Sequence, residues 1–168
     1  MRTVCLCMAL AVLVFVASGC RRTAGGEFAI YLLPAETTVE QARSMDLAQA
    51  PLPDQPFLSE SDIVSYTWAT HEIELTAPAL QRVQQLQVSV RGRVFVACVG
   101  RKPVYWGAFW TPISSLSFDG VVILLPLGEG RVIRIERGYP GPDFSRGEDP
   151  RSNPEILQAL QRAGKLAN

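Results

Sequence analysis

Hydrophobic and polar positions change period several times along the chain, and each change predicts an element. From Val4 to Val16 every residue is uncharged and most are apolar. Arg21 to Gly26 is polar and glycine-rich, a tether. Phe28-Ala29-Ile30-Tyr31-Leu32-Leu33 is then apolar on both faces of an extended chain, as in a strand covered on two sides, and Pro34 closes it. Glu36 to Ala50 predicts a short helix capped by Thr37 or Thr38. Pro51, Pro53 and Pro56 behind it make the segment a surface connection with little core of its own. Ser59-Glu60-Ser61-Asp62 has a cap residue followed three later by an acid, which predicts a helical turn running into Ile63-Val64. Tyr66 to Trp68 and His71 to Leu75 alternate, with Ile73 and Leu75 on one face and Glu72 and Glu74 on the other.

Thr76 caps the next element and Pro78 lies in its first turn. Leu80, Val83 and Leu86 recur at helical spacing to about Gln87. Arg93 to Val99 and Val104 to Trp110 form a predicted hairpin about Gly100-Arg101-Lys102-Pro103. Asp119-Gly120 leads into Val121 to Leu127, and Gly128-Glu129-Gly130 turns the chain into Arg131 to Arg137 as a second hairpin. Gly138 to Pro154, rich in proline, glycine and charge, predicts an exposed loop. Asn153 and Pro154 then start a last helix through Ile156, Leu157 and Leu160 to about Ala163, ended by Gly164. The sum is an α+β fold: an antiparallel sheet of about five or six strands packed on two or three helices.

Composition narrows the partners. Sixteen basic residues balance sixteen acidic ones, so no basic field holds nucleic acid by counterion release. Removing residues 1–19 from 168 leaves 149, the size of one ordinary domain with one core.

The first twenty residues decide the compartment. Arg2 is a positive n-region, Val4 to Val16 an apolar h-region, and Ala17-Ser18-Gly19 puts small residues before Cys20. That order resembles the lipobox of a bacterial lipoprotein signal peptide. The resemblance implies cleavage before Cys20, thioether lipidation of Cys20, and acylation of the new amino terminus, a stable hold on a bilayer. The chain then divides into a signal peptide (1–19), a lipidated cysteine with a short tether (20–26) and a single extracytoplasmic domain (27–168). An ordinary cleaved secretory signal or an uncleaved anchor are the alternatives, and an apolar run of about thirteen residues is short of the roughly twenty that span a membrane. Arg21, rather than an aspartate, after the lipidated cysteine resembles the pattern of outer-membrane sorting where an outer membrane exists. Fully stretched, the tether covers at most roughly 20 Å, so the domain lies against the membrane surface.

Cysteine usage follows from this. Cys5 and Cys7 leave with the signal and Cys20 takes lipid, so Cys98 is the one thiol left. Neither an internal disulfide nor a multi-cysteine metal site is then open to the domain, and no cofactor is expected. Cys98 lies in Val94-Phe95-Val96-Ala97-Cys98-Val99, where a buried small hydrophobe is the expected role and a reactive thiol the alternative.

From Leu58 to Ile123 the order of features resembles the first periplasmic domain of the protein-export subunit SecD. The residues that carry it are Leu58 to Ile63, Ile73-Glu74-Leu75-Thr76, Ala79 to Leu86 and Val94 to Gly100. Val104 to Ala108, Ile113-Ser114-Ser115 and Asp119 to Ile123 continue the order. The resemblance implies an α+β domain shape. The chain departs from that family in having no spanning segment after residue 20, and in carrying Trp106, Phe109 and Trp110 where the family has small residues and proline. A proton-driven motor is therefore not implied.

Catalytic chemistry has little to work with. The one histidine, His71, stands between Thr70 and Glu72 with no Gly-x-Ser-x-Gly motif to accompany it, and reads as structural. Glu72 and Glu74 share a strand face, which is ordinarily a solvated one. Gly128-Glu129-Gly130 lacks the helix and lysine of a phosphate loop. The stretch with most functional content is Val104 to Trp110. Alternation puts Trp106 and Trp110 on one face with Val104, and Tyr105 and Phe109 on the other. Either both faces are covered, or one is open as a partner-binding surface made by Trp106 and Trp110 or by Tyr105 and Phe109. The reading is a lipid-anchored, extracytoplasmic domain that binds or scaffolds beside the membrane, with membrane lipid and a membrane-proximal protein as partners. A small envelope hydrolase is the alternative.

Overall fold

The computed structural model describes residues 26–125 and 130–167. The expected signal peptide, Cys20, most of the expected tether and the Gly128-Glu129 part of the expected turn lie outside the described residues. The strands are Phe28–Leu32 (β1), Leu58–Ser59 (β2), Ile63–Thr67 (β3), Glu72–Leu75 (β4), Arg93–Val99 (β5), Lys102–Trp110 (β6), Phe118–Leu124 (β7) and Val132–Tyr139 (β8). The helices are Val39–Ser44 (α1), Ala77–Gln84 (α2) and Pro154–Arg162 (α3).

The strands form one eight-stranded sheet in the order β2-β1-β5-β6-β7-β8-β4-β3. Its pairings are antiparallel except β6 with β7, which run parallel with Gly107 opposite Val121 and Trp110 opposite Leu124. The expectation of five or six antiparallel strands on helices is therefore wrong in strand number, in direction and in the weight it gives to helix. Two physical causes account for it. Ile63 and Val64, expected to continue the helical turn that Glu60–Asp62 does form, instead open β3, which carries a register shift between Ile63 and Ser65. Between β6 and β7, Thr111–Ser117 returns the chain without a helix, whereas parallel neighbours ordinarily need a crossover of about a dozen residues or more.

Burial divides the sheet into two halves, and the sequence pattern follows the division. Strands β1, β5, β6 and β7 are apolar on both faces because both are covered. The inner face carries Phe28, Ile30, Phe95, Phe109 and Ile123 beneath α2 and α3. The outer face carries Tyr31, Val96, Cys98, Trp110 and Val122, and α1 packs there through Val39 and Ala42. The segment expected to have little core of its own thus covers part of the sheet's outer face. In β8 and β4 only one face is buried, so Ile133, Ile135, Ile73 and Leu75 alternate with charged residues. Arg134 pairs with Glu72 on the solvent side.

The helices begin where the caps predict. Thr38, Thr76 and Asn153 accept hydrogen bonds from the amides of Gln41, Ala79 and Glu155. No helix among the described residues is long and apolar enough to cross a membrane.

Both edges of the sheet come from consecutive chain. β2 lies at one edge and β3 at the other, joined by a 3₁₀ turn over Glu60–Asp62, so the sheet curls until its edges meet at this corner. Side chains fix the turn. The Asp62 carboxylate accepts from the Ser59 amide at 2.9 Å and its hydroxyl at 3.0 Å, and pairs with Arg82 of α2 at 2.6 Å. The Glu60 carboxylate accepts from the Phe28 amide of β1 at 2.7 Å. The outer side of β3 is covered by the C-terminal tail: the Tyr66 amide donates to the Lys165 carbonyl at 2.7 Å, and the Ala167 amide to the Tyr66 carbonyl at 3.0 Å.

This corner generates a prediction. Asp62→Ala removes the turn's acceptor and leaves Arg82 unpaired, and should cost about 1–2 kcal/mol, read as a lower denaturant midpoint. An unchanged midpoint would show that the two edges are held by something else.

Candidate functional site

The aromatic strand β6 is built into both cores. Tyr105 and Phe109 point to the inner face, where Phe109 meets Phe95 edge-on at 5.4 Å and Phe57 at 5.5 Å. Trp110 points to the outer face and stacks on Phe118 at 5.3 Å with Tyr139 at 6.0 Å. Tyr105, Phe109 and Trp110 are buried, and Trp106, 5.8 Å from Phe118, is half-buried. Of the four, only Trp106 keeps surface. Val104 does not share the tryptophan face: a register shift about Ala97 and Cys98 sets Tyr105 opposite Ala97 and Pro103 opposite Cys98, and Val104 packs with the inner core.

Two details show how closely Trp110 is fitted. A Cβ on Gly92 would come within 2.5 Å of the indole, and Gly92 has φ of +83°, so glycine is required twice over. The indole Nε1 is buried without an acceptor, alone among buried side-chain polar atoms of the described residues. Leaving such a donor unpaired costs about 1–3 kcal/mol, which the stacking and burial of the ring must exceed.

His71 occupies the turn between β3 and β4 in a left-handed backbone, φ of +53°, unusual for a non-glycine residue. It is buried. Its Nδ1 shares a 3.0 Å hydrogen bond with the Tyr66 hydroxyl, and the Trp68 ring lies 5.6 Å away. Burial, then the positive charge of Arg151, lowers the His71 pKa, with Asp149 opposing. Burial raises that of Tyr66. The ring is therefore neutral, and its partner is a phenol rather than a nucleophile with a base.

The charged groups near it serve the backbone. Arg151 donates through Nε and Nη2 to the two Asp149 oxygens at 2.9 and 2.6 Å, and through Nη1 to the Ile135 carbonyl at 2.7 Å. This pairing holds Asp149 at about 2. A cleft of about 420 Å³ opens beside them, lined by Glu136, Arg137, Gly138, Asp149 and Arg151 among others, and His71 does not line it. Arg137 donates to the Gly147 carbonyl at 2.7 Å. Both guanidinium groups of the cleft thus hold the Gly138–Arg151 segment in place.

The remaining chemistry-bearing residues are dispersed. Cys98 is buried in the outer core, its thiol pushed up to about 12 by burial. Glu72 is held low by Arg134 and Thr70, and Glu74 accepts from the Ser65 hydroxyl. Among the described residues no three histidine, cysteine or carboxylate side chains gather as a metal site. Cys20 lies outside them.

One feature was not legible as a site in the sequence. Val90, Ile113 and Leu116 remain exposed on two loops that touch through Ser114, whose hydroxyl donates to the Val90 carbonyl at 2.6 Å. The signal was present as a lone isoleucine and a lone leucine within the otherwise polar run Thr111–Ser117. Comparison with family models, with curated proteins and with solved structures gives no match.

Two predictions follow from this geometry. Phe109→Ala and Trp110→Ala should each cost about 3–5 kcal/mol, and Trp106→Ala about 1–2 kcal/mol in a denaturant melt because its ring is only half-buried. Trp110→Phe should cost less than Trp110→Ala, since it removes the unpaired donor and keeps a ring; the reverse order would contradict the packing described. For His71 the folded pKa lies below the unfolded value of about 6.5. The unfolded chain therefore takes up its proton first, so this stability is fully present above about pH 6.5 and is lost as pH falls through the folded value. His71→Asn, which tolerates a left-handed backbone, should flatten the decline in melting temperature between about pH 7 and 5. An equal decline in wild type and variant would assign it to other groups.

Proposed function

We propose that the protein is a lipoprotein, held by acylated Cys20 on the extracytoplasmic face of a bacterial membrane, whose folded domain binds or scaffolds a protein partner rather than catalysing a reaction. Where the organism has an outer membrane, Arg21 favours that membrane. The observation that carries the reading is the order Arg2, Val4–Val16, Ala17-Ser18-Gly19-Cys20, with the first strand beginning at Phe28. Anchor and domain are thus separated only by Arg21 to Gly26 and Glu27.

The aromatic side chains of β6 are spent mainly on two cores and leave only Trp106 partly open as a binding surface, and the lone histidine is engaged with Tyr66, away from the cleft. Exposed apolar side chains are found at Val90, Ile113 and Leu116 and also at Val64, Val132 and Phe144.

The anchor is tested in cells. In Cys20→Ser the precursor should stay uncleaved and take up no labelled fatty acid, while wild type is labelled and fractionates with membrane. Equal labelling of mutant and wild type would refute the anchor.

A further inference from the structure

We propose that His71 is an acid-operated latch: on taking up a proton it leaves its place beside Tyr66 and frees the C-terminal tail from the outer edge of β3. The turn between β3 and β4 opens with it, while the rest of the sheet stays folded. The latch is a property of the domain and holds with or without a lipid anchor.

His71 sits where a positive charge is poorly tolerated. It is 5% exposed, and its backbone is held left-handed at φ of +53°. Its Nδ1 and the Tyr66 hydroxyl share a 3.0 Å hydrogen bond, and the Trp68 ring packs on the imidazole at 5.6 Å and on Tyr66 at 5.9 Å. The charged groups facing it are Arg151 and Asp149, ahead of α3, and burial with Arg151 keeps the ring neutral. Asp149 is a poor counter-ion because it is already engaged. Its two oxygens accept from Arg151 Nε at 2.9 Å and Nη2 at 2.6 Å, and Oδ1 also accepts from the Arg151 amide at 3.0 Å. From β6 the Tyr105 phenol lies behind Tyr66, and β8 meets His71 through the Ile135 amide, which donates to the His71 carbonyl at 2.9 Å. Glu72, next in sequence, is bound by Arg134 and Thr70. A protonated ring can still donate from Nδ1 to the Tyr66 oxygen. What the place cannot hold is the charge itself, buried and beside a guanidinium.

Tyr66 carries the change to the tail. It makes a single parallel bridge with Leu166: its amide donates to the Lys165 carbonyl at 2.7 Å, and its carbonyl accepts from the Ala167 amide at 3.0 Å. The tail's other ties to this edge are the Lys165 ammonium on the Ile63 carbonyl at 2.7 Å and half-buried Leu166 against the inner core. Once the imidazole departs, the Tyr66 phenol is left buried without its partner and Trp68 without one of the rings it packs on. The left-handed backbone of His71 relaxes at the same time. The end of β3 therefore yields before β5 and β6, whose ladder runs from Arg93 to Val99 between covered faces. Opened, it presents the unpaired amide and carbonyl of Tyr66 at a sheet edge, where another strand can pair.

The test is residue-resolved hydrogen exchange on the full chain in detergent between about pH 7 and 5, with the ring of this one histidine titrated by NMR in the same samples. At the Tyr66 and Ala167 amides the opening constant should rise up to about tenfold per pH unit below about 6.5, and level off at the pKa the His71 ring shows in the folded protein. At pH 5 it should exceed that at Val96 and Phe109 by about tenfold or more and be insensitive to low denaturant, as a local opening is. In His71→Asn, which tolerates the left-handed backbone, the constants at Tyr66 and Ala167 should not change with pH. Exchange of Tyr66 and Ala167 in step with Val96 and Phe109, or the same pH dependence in His71→Asn, overturns the latch. If that variant does not fold, the wild-type chain decides alone: a folded ring pKa at or above about 6.5, or opening that does not level off at the ring's pKa, overturns it.

Discussion

Any open sheet has two edges whose unpaired amides and carbonyls must be covered, and the structure depends on how this chain covers both at once. Leu58 to Thr67 supplies one edge, turns through Glu60–Asp62, and supplies the other. The corner is held by Asp62 on Ser59 and Arg82 and by Glu60 on the Phe28 amide. The far side of β3 is finished by the C-terminal tail on Tyr66. Once the edges are pinned together, the inner face is closed and α2 and α3 fill it, and the large buried rings of β1, β5 and β6 have a single place to go.

The outer face is a separate constraint. It is covered in pieces, by α1 on one part and by the Thr111–Ser117 crossover near Trp110, Phe118 and Tyr139 on another. That crossover lets β6 and β7 run parallel without a helix, and it is kept in place by the Tyr139 and Ser114 hydroxyls rather than by apolar contact of its own. Its apolar side chains are consequently free to point outward. The Trp110 indole is left without an acceptor among the described residues.

Much of this is legible in the sequence where one rule acts alone. The continuous apolar runs of β1 and β5 announce strands covered on two faces, the alternation of Glu72 to Leu75 announces one covered face, and Thr76 with Pro78 and Asn153 with Pro154 announce helices. Legibility fails where two rules collide. Ser59 and Asp62 announce the turn at Glu60–Asp62 but not that Ile63 and Val64 open a strand, in which a register shift leaves Ile63 and Tyr66 buried three apart. At Val104 another shift moves one residue to the opposite face. Strand direction across Thr111–Ser117 is a property of the whole sheet and leaves no local mark. The position of His71, buried and left-handed, likewise follows from the β3–β4 turn meeting β8 and not from its neighbours in sequence.

The central claim is that the sheet is one closed unit, with the β3–β4 side tied to the β1–β5 side through the Glu60–Asp62 corner and a shared inner core. Native-state hydrogen exchange resolved by residue tests it most directly. Amides paired in β1, β5, β6, β4 and β8, including Ile30, Val96, Phe109, Ile73 and Ile135, should exchange through one opening whose free energy equals that of global unfolding. If Ile73 and Ile135 instead open at a free energy several kcal/mol below that of Val96 and Phe109, the two sides are independent and the closed sheet is contradicted.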